Sequence, residues 1–162
     1  MMERMMERWN DGMKRGFVAA FFCFPHDTEW LGTPGRSIDL VPMMPYQRLN
    51  AWRSCHQLAL ATYRITQSFP KYELYGITSQ MRRAAFSAPA NIAEGSAKRG
   101  PREFRRFLDI ALGSLAELSY AILFAKELGY LSESDWKELD ELRSLAGKLT
   151  WGFYRLISER GG

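Results

Sequence analysis

Phe104, Leu108, Ala111, Leu115, Leu118, Ile122 and Ala125 follow one another at alternating spacings of four and three. At 3.6 residues per turn, those intervals put all seven side chains on one stripe of an α-helix. A strand, with its period of two, would scatter them over both faces. So long an apolar stripe has to be laid against other helices, which confines the chain to helix-on-helix packing. A second apolar stripe, Phe107, Ile110, Ala121, Phe124 and Leu128, runs beside the first.

The neighbouring stretches carry the same rhythm. From Tyr46 to Ser68, Leu49, Trp52, His56, Ala59 and Tyr63 make one stripe and Leu58, Ile65 and Phe69 another. Phe69-Pro70 ends that helix, because a residue before proline avoids the α region. From Tyr75 to Ala97, Ile77, Met81, Ala84, Ala85, Ala88 and Ile92 share a face rich in small residues. Pro89 removes one backbone hydrogen bond there and crowds the carbonyl of Ala85, which predicts a kink rather than an end. Pro101 suits the first turn of the next helix, and Gly129 its C-terminal cap. Ser132 caps a fourth helix, in which Trp136, Leu139, Leu142, Ala146, Leu149, Phe153 and Leu156 repeat to the end. Links this short join antiparallel neighbours. The expected fold is therefore an all-α, antiparallel up-down-up-down four-helix bundle over residues 46–160. Its apolar surface exceeds what one core needs: a wide core face is the plainer account, and an interface that buries the surplus stripe in a homo-oligomer is the one favoured.

Residues 1–45 read as an irregular extension, broken by Gly12, Gly16, Pro25, Gly32, Pro34, Gly35, Pro42 and Pro45. Three readings stand. It is a disordered or untranslated segment ahead of a start at Met43 or Met44. It is a secretory signal opening at Met13, with Lys14-Arg15 before Phe17–Phe24, although the apolar run is short and ends at Pro25. Or it is an amphipathic arm, with Met1, Met2, Met5, Met6 and Trp9 on one helical face.

The topology also sorts the charges. One end of the bundle collects Arg48, Arg53, Lys98, Arg99, Arg102, Arg105, Arg106, Arg155 and Arg160. The other end holds Glu127, Glu133, Asp135, Glu138, Asp140 and Glu141, with Arg82 and Arg83 nearer to it. Phosphate contact is one reading of the basic cluster, RNA or DNA being the partner. The plainer reading is a solvated helix end paired with Glu94, Glu103 and Asp109. The formal charge of +4 permits an anionic partner without requiring one.

No constellation for catalysis is present. The two histidines, His26 and His56, and the two cysteines, Cys23 and Cys55, fall short of an ordinary zinc set. His56, on an apolar face, reads as a packed side chain. No Glu-x-x-His pair, phosphate-binding loop or Gly-x-Ser-x-Gly elbow occurs. Asn91 and Glu94, one turn apart, are the best polar pair and read as partners for buried polar groups. No catalytic residue, metal or cofactor is expected. Two distant cysteines indicate a reducing, cytoplasmic setting. No unbroken apolar run reaches the roughly 18 residues of a membrane span.

Phe69-Pro70, Glu73-Leu74-Tyr75-Gly76, Gln80-Met81-Arg82-Arg83-Ala84-Ala85, Asn91-Ile92-Ala93-Glu94-Gly95 and Ala111-Leu112-Gly113-Ser114 occur in that order. Together they resemble the bacterial four-helix-bundle family of proteins encoded in intervening sequences of 23S ribosomal RNA genes. That family also includes the accessory variability proteins of diversity-generating retroelements. The resemblance spans about Tyr46 to Ile157. It implies a homopentamer of bundles and, in the retroelement branch, binding to nucleic acid and to a reverse transcriptase through basic surface. It makes Arg82 and Arg83 candidates for RNA or subunit contact, and Asn91, Glu94, Gly95, Gly113 and Ser114 candidates for structural or subunit packing. Lys98, Arg99, Arg102, Arg105 and Arg106 enter through the charge argument alone. The function expected is a non-enzymatic nucleic-acid-binding accessory protein. The alternative is a protein–protein scaffold that binds a reverse transcriptase or another protein without touching nucleic acid.

Overall fold

The stretch with alternating spacings forms one unbroken helix, Pro101–Glu127. In this computed structural model, which describes residues 44–160, it is the third of four α-helices: α1 (Asn50–Ile65), α2 (Ile77–Ser96), α3 (Pro101–Glu127) and α4 (Glu133–Arg160). No strand occurs among the described residues. Each helix packs on the next, and α4 closes the ring onto α1. This is the all-α, antiparallel four-helix bundle that the periodicity and short links require. The start-site, signal and amphipathic-arm readings of the extension fall outside the described residues.

Cross-links between neighbours fix the register. Ser114 Oγ on α3 lies 2.8 Å from Ser87 Oγ on α2, at mid-height. Arg83 and Glu117 approach to 3.6 Å one turn further along the same pair. Cys55 Sγ on α1 sits 3.5 Å from Thr150 Oγ1 on α4, and Arg64 pairs with Glu138 nearer the other end.

The caps expected from sequence are present. Gly129 has φ +75°, and Tyr130 N donates to Ala125 O at 3.0 Å while Gly129 N donates to Lys126 O at 2.9 Å. That pattern closes the last carbonyls of α3 through a left-handed glycine. Asp135 N donates to Ser132 Oγ at 3.1 Å, opening α4. α2 runs through buried Pro89 without ending.

Three expectations need correction. The first helix is not continuous from Tyr46 to Ser68. A 3-10 turn, Pro45–Arg48, is separated from α1 by Leu49 in an extended conformation (φ −85°, ψ 120°), and α1 itself passes into 3-10 geometry at Thr66–Ser68. Nor does the second helix begin at Tyr75: Gly76 (φ −92°, ψ −125°) is its cap, and the Glu73 carboxylate accepts from Ile77 N at 3.2 Å. Finally, the core stripe of α1 is Ala51, Cys55, Leu58, Thr62 and Ile65, while His56 and Tyr63 are exposed and Trp52 is half-buried. Small side chains occupy the crowded centre, and the larger rings are displaced to its rim.

α3 is long and apolar enough to cross a membrane by length and composition. Its apolar residues do not form an unbroken run, since Asp109 and Glu117 interrupt them. Packing between α2 and α4 accounts for one of its faces. Buried Leu108, Ala111, Leu118, Ile122 and Ala125 line that face.

Candidate nucleic-acid interface

The antiparallel register gathers the start of α1, the α2–α3 turn and the end of α4 at one end. Residues 44–59, 84–116 and 144–160 form that half of the bundle and hold ten Lys/Arg against four Asp/Glu. The opposite half, residues 60–83 and 117–143, holds seven against eight. The molecule is therefore polar along its axis, but the second half is close to neutral rather than strongly acidic. Arg64, Arg82, Arg83, Lys126 and Arg143 offset its carboxylates.

The turn into α3 is built on Gly100, whose φ of +88° needs a residue without a Cβ. Pro101 then starts α3 and fans Arg102, Arg105 and Arg106 over its first turns. Arg102 and Arg105, with Pro101 and with Ile157 from the end of α4, line an open cavity of about 260 Å³. Among the described residues, Arg99, Arg102 and Arg105 have no carboxylate partner. Arg106 lies 3.9 Å from Glu103. Lys98 is 3.1 Å from Glu94 and also stands 5.2 Å above the Phe107 ring. The local acids thus neutralise Lys98 and Arg106 and leave the arginines around the cavity unpaired.

Arg82 and Arg83 are elsewhere and are engaged within the bundle. Arg82 Nε donates to Thr66 Oγ1 at 2.8 Å, with its guanidinium 5.2 Å above the Tyr63 ring. Arg83 donates to Gln80 Oε1 at 2.6 Å and faces Glu117.

The remaining motif residues sit on the α2–α3 seam. Asn91 Nδ2 donates to Ser87 O at 2.8 Å and to Ser87 Oγ at 3.1 Å, and Ser114 joins the same cluster. Glu94 is exposed and bound to Lys98, so Asn91 and Glu94 do not converge on a common point. Gly95 lies against Phe104 and Phe107. Gly113 is exposed, with nothing within 4 Å of the position a Cβ would take. Among the described residues, no group of three or more His, Cys, Asp or Glu side chains gathers closely enough to hold a metal ion.

Sequence reasoning missed the aromatic stacks of the basic half. His56 lies parallel to Trp52, centroids 4.9 Å apart, and Trp151 parallel to Tyr154 at 5.4 Å. Their spacings of four and three are legible in the sequence, but Trp52 and His56 fall on an apolar stripe there, and Trp151 and Tyr154 lie off the stripe of the fourth helix.

The fold and this surface define a small helical-bundle protein with one basic end. A family model described as 23S rRNA-intervening sequence protein matches residues 47–151, and the chain belongs to that family. No curated protein matches the chain.

Proposed function

We propose that the chain is a non-enzymatic, homo-oligomeric accessory protein of the cytoplasm that binds RNA or DNA through the basic end of its bundles. The observation that carries this reading is the set of unpaired arginines, Arg99, Arg102 and Arg105, at an end where cations outnumber acids ten to four. Such a surface neutralises phosphates and releases their counterions. Assembly around an axis, a pentamer on the family resemblance, would repeat the cluster and multiply its effect. Exposed Phe86, Ile110 and Tyr120 on the outer face of α2 and α3 supply apolar surface for that assembly. The resemblance to retroelement accessory proteins adds a reverse transcriptase as a candidate partner.

The test is binding of labelled RNA and DNA across a salt series, for the native chain and for a variant with Arg102, Arg105 and Arg106 each changed to Glu. We expect affinity to fall steeply with salt and to be lost in the variant, with helical content retained. Equal affinity in the two proteins rejects the basic end as the contact.

A second reading, the protein scaffold, draws on the loop between α1 and α2. Tyr72 and Tyr75 are 76% and 90% exposed there, with Leu74 beside them. Under that reading the purified protein binds no nucleic acid at low salt and retains a protein partner instead.

A further inference from the structure

Residues 44–72 and 142–158 contain no Asp or Glu. They supply all of α1 and more than half of α4, which pack side by side. The Cys55–Thr150 contact, at 3.5 Å, sets the register of the pair. Two antiparallel helices in contact are related by a local two-fold axis. The residues one step beyond each contact, His56 and Trp151, therefore leave the pair on the same side. Both are exposed, so that side faces outward.

Cations stand one turn away on the same exposed face: Arg53 before His56, and Lys148 and Arg155 on either side of Trp151. Lys148 has no carboxylate partner among the described residues. Arg53 donates to Gln47 O at 2.8 Å, and Arg155 is 3.7 Å from exposed Glu159. Each outer ring is held flat by an inner one. His56 lies on Trp52 with 9° between planes, and Trp151 lies on Tyr154 with 12°. Trp151 nevertheless remains 53% exposed.

We propose that this α1–α4 face binds single-stranded nucleic acid, with His56 and Trp151 as platforms for unpaired bases and Arg53, Lys148 and Arg155 on the phosphates between them. The proposal rests on the nucleic-acid reading above and specifies the strand state. Flat, supported rings among cations are what strand binding without base readout uses, since every base has a π-face. A duplex hides those faces, and an outward helix pair has no means of entering its stack. A second copy presenting the same face would set cation against cation, which disfavours a symmetric contact. The charge of the face selects a polyanion.

The experiment compares a labelled oligouridine, whose bases stack weakly on one another, with a labelled RNA duplex of equal length. The full chain is used, with Trp151→Ala and Trp151→Phe variants. We expect Trp151→Ala to weaken oligouridine binding about tenfold, with an unchanged salt slope and unchanged duplex affinity. Trp151→Phe should keep most of the oligouridine affinity. Unchanged oligouridine binding in Trp151→Ala overturns the proposal, as does an equal loss for both RNAs or a change in assembly mass by light scattering. If neither RNA binds the native chain at low salt, the nucleic-acid reading itself falls. If the duplex binds and Trp151 is silent, only the strand preference falls.

Discussion

Gly95 of α2 and Phe107 of α3 leave no room between them for one more carbon. A Cβ at Gly95 would stand 2.7 Å from Phe107 Cβ and equally close to Phe104 Cδ2. This contact sits just before the turn that carries the basic cluster, so it fixes how α3 leaves α2.

Gly95→Ala is therefore expected to destabilise the bundle. Overpacking costs about 1–3 kcal/mol, and the gain in helix propensity from Gly to Ala returns only about 1 kcal/mol. The check is urea unfolding against Gly113→Ala. Gly113 has open space around it, so alanine there should raise stability by about the propensity difference. A stable Gly95→Ala protein would mean that the seam yields more easily than its geometry indicates.

The buried thiol at the α1–α4 seam gives a dependence on pH. Burial pushes Cys55 up from 9.0 to about 11, with the Thr150 hydrogen bond pulling weakly the other way. Below about pH 9 the thiol is protonated in both states and the full stability is present. Between about pH 9 and 11 the unfolded chain loses that proton and the folded chain keeps it, so stability falls. The slope is at most about 1.4 kcal/mol per pH unit. Urea unfolding at pH 8 and at pH 10.5 should show this loss in the native chain and a smaller one in Cys55→Ala. Tyr130, pushed up to about 12 chiefly by its hydrogen bond with Tyr72, acts in the same direction at higher pH. It is common to both proteins, so the difference isolates Cys55. Equal slopes in the two would show that Cys55 ionises as freely folded as unfolded.

The helices were legible because their stripes are long and their ends carry specific chemistry, as at Gly129 and Ser132. The face that α1 turns inward was legible only in part: Leu58, Ile65 and Phe69 are buried, as their stripe requires, but the stripe of rings is not. Trp52, His56 and Tyr63 have the right spacing for a core, but so do Ala51, Cys55, Leu58, Thr62 and Ile65 one step around the helix. Hydrophobicity favours the rings, whereas the narrow space between helices favours the small side chains. The basic end was legible from topology alone. Which arginines remain unpaired was not, because that depends on rotamers: Glu94 reaches Lys98 and Glu103 leans towards Arg106, while Arg102 and Arg105 turn to the cavity. The acidic end is weaker than its carboxylates alone suggest, since Arg64, Arg82 and Arg83 of α1 and α2 lie in the same half and Arg143 pairs with Asp140 within α4.

The proposed assembly has a definite place to be tested. Ser87–Ser114 and Arg83–Glu117 hold α2 and α3 side by side, and their outer face carries Phe86, 64% exposed, Tyr120, 68% exposed, and Ile110. Gly113 lies among them, with nothing within 4 Å of the position a Cβ would take. Burying a large apolar side chain contributes about 1.5–3 kcal/mol, so several together would hold subunits at micromolar concentration. Changing Phe86 and Ile110 to Asp should leave helical content intact, because neither is in the core, and should reduce the mass in light scattering to that of one chain. An assembly of undiminished mass would move the subunit contact off the α2–α3 face. The surplus stripe of α3 would then be left for a different protein to cover.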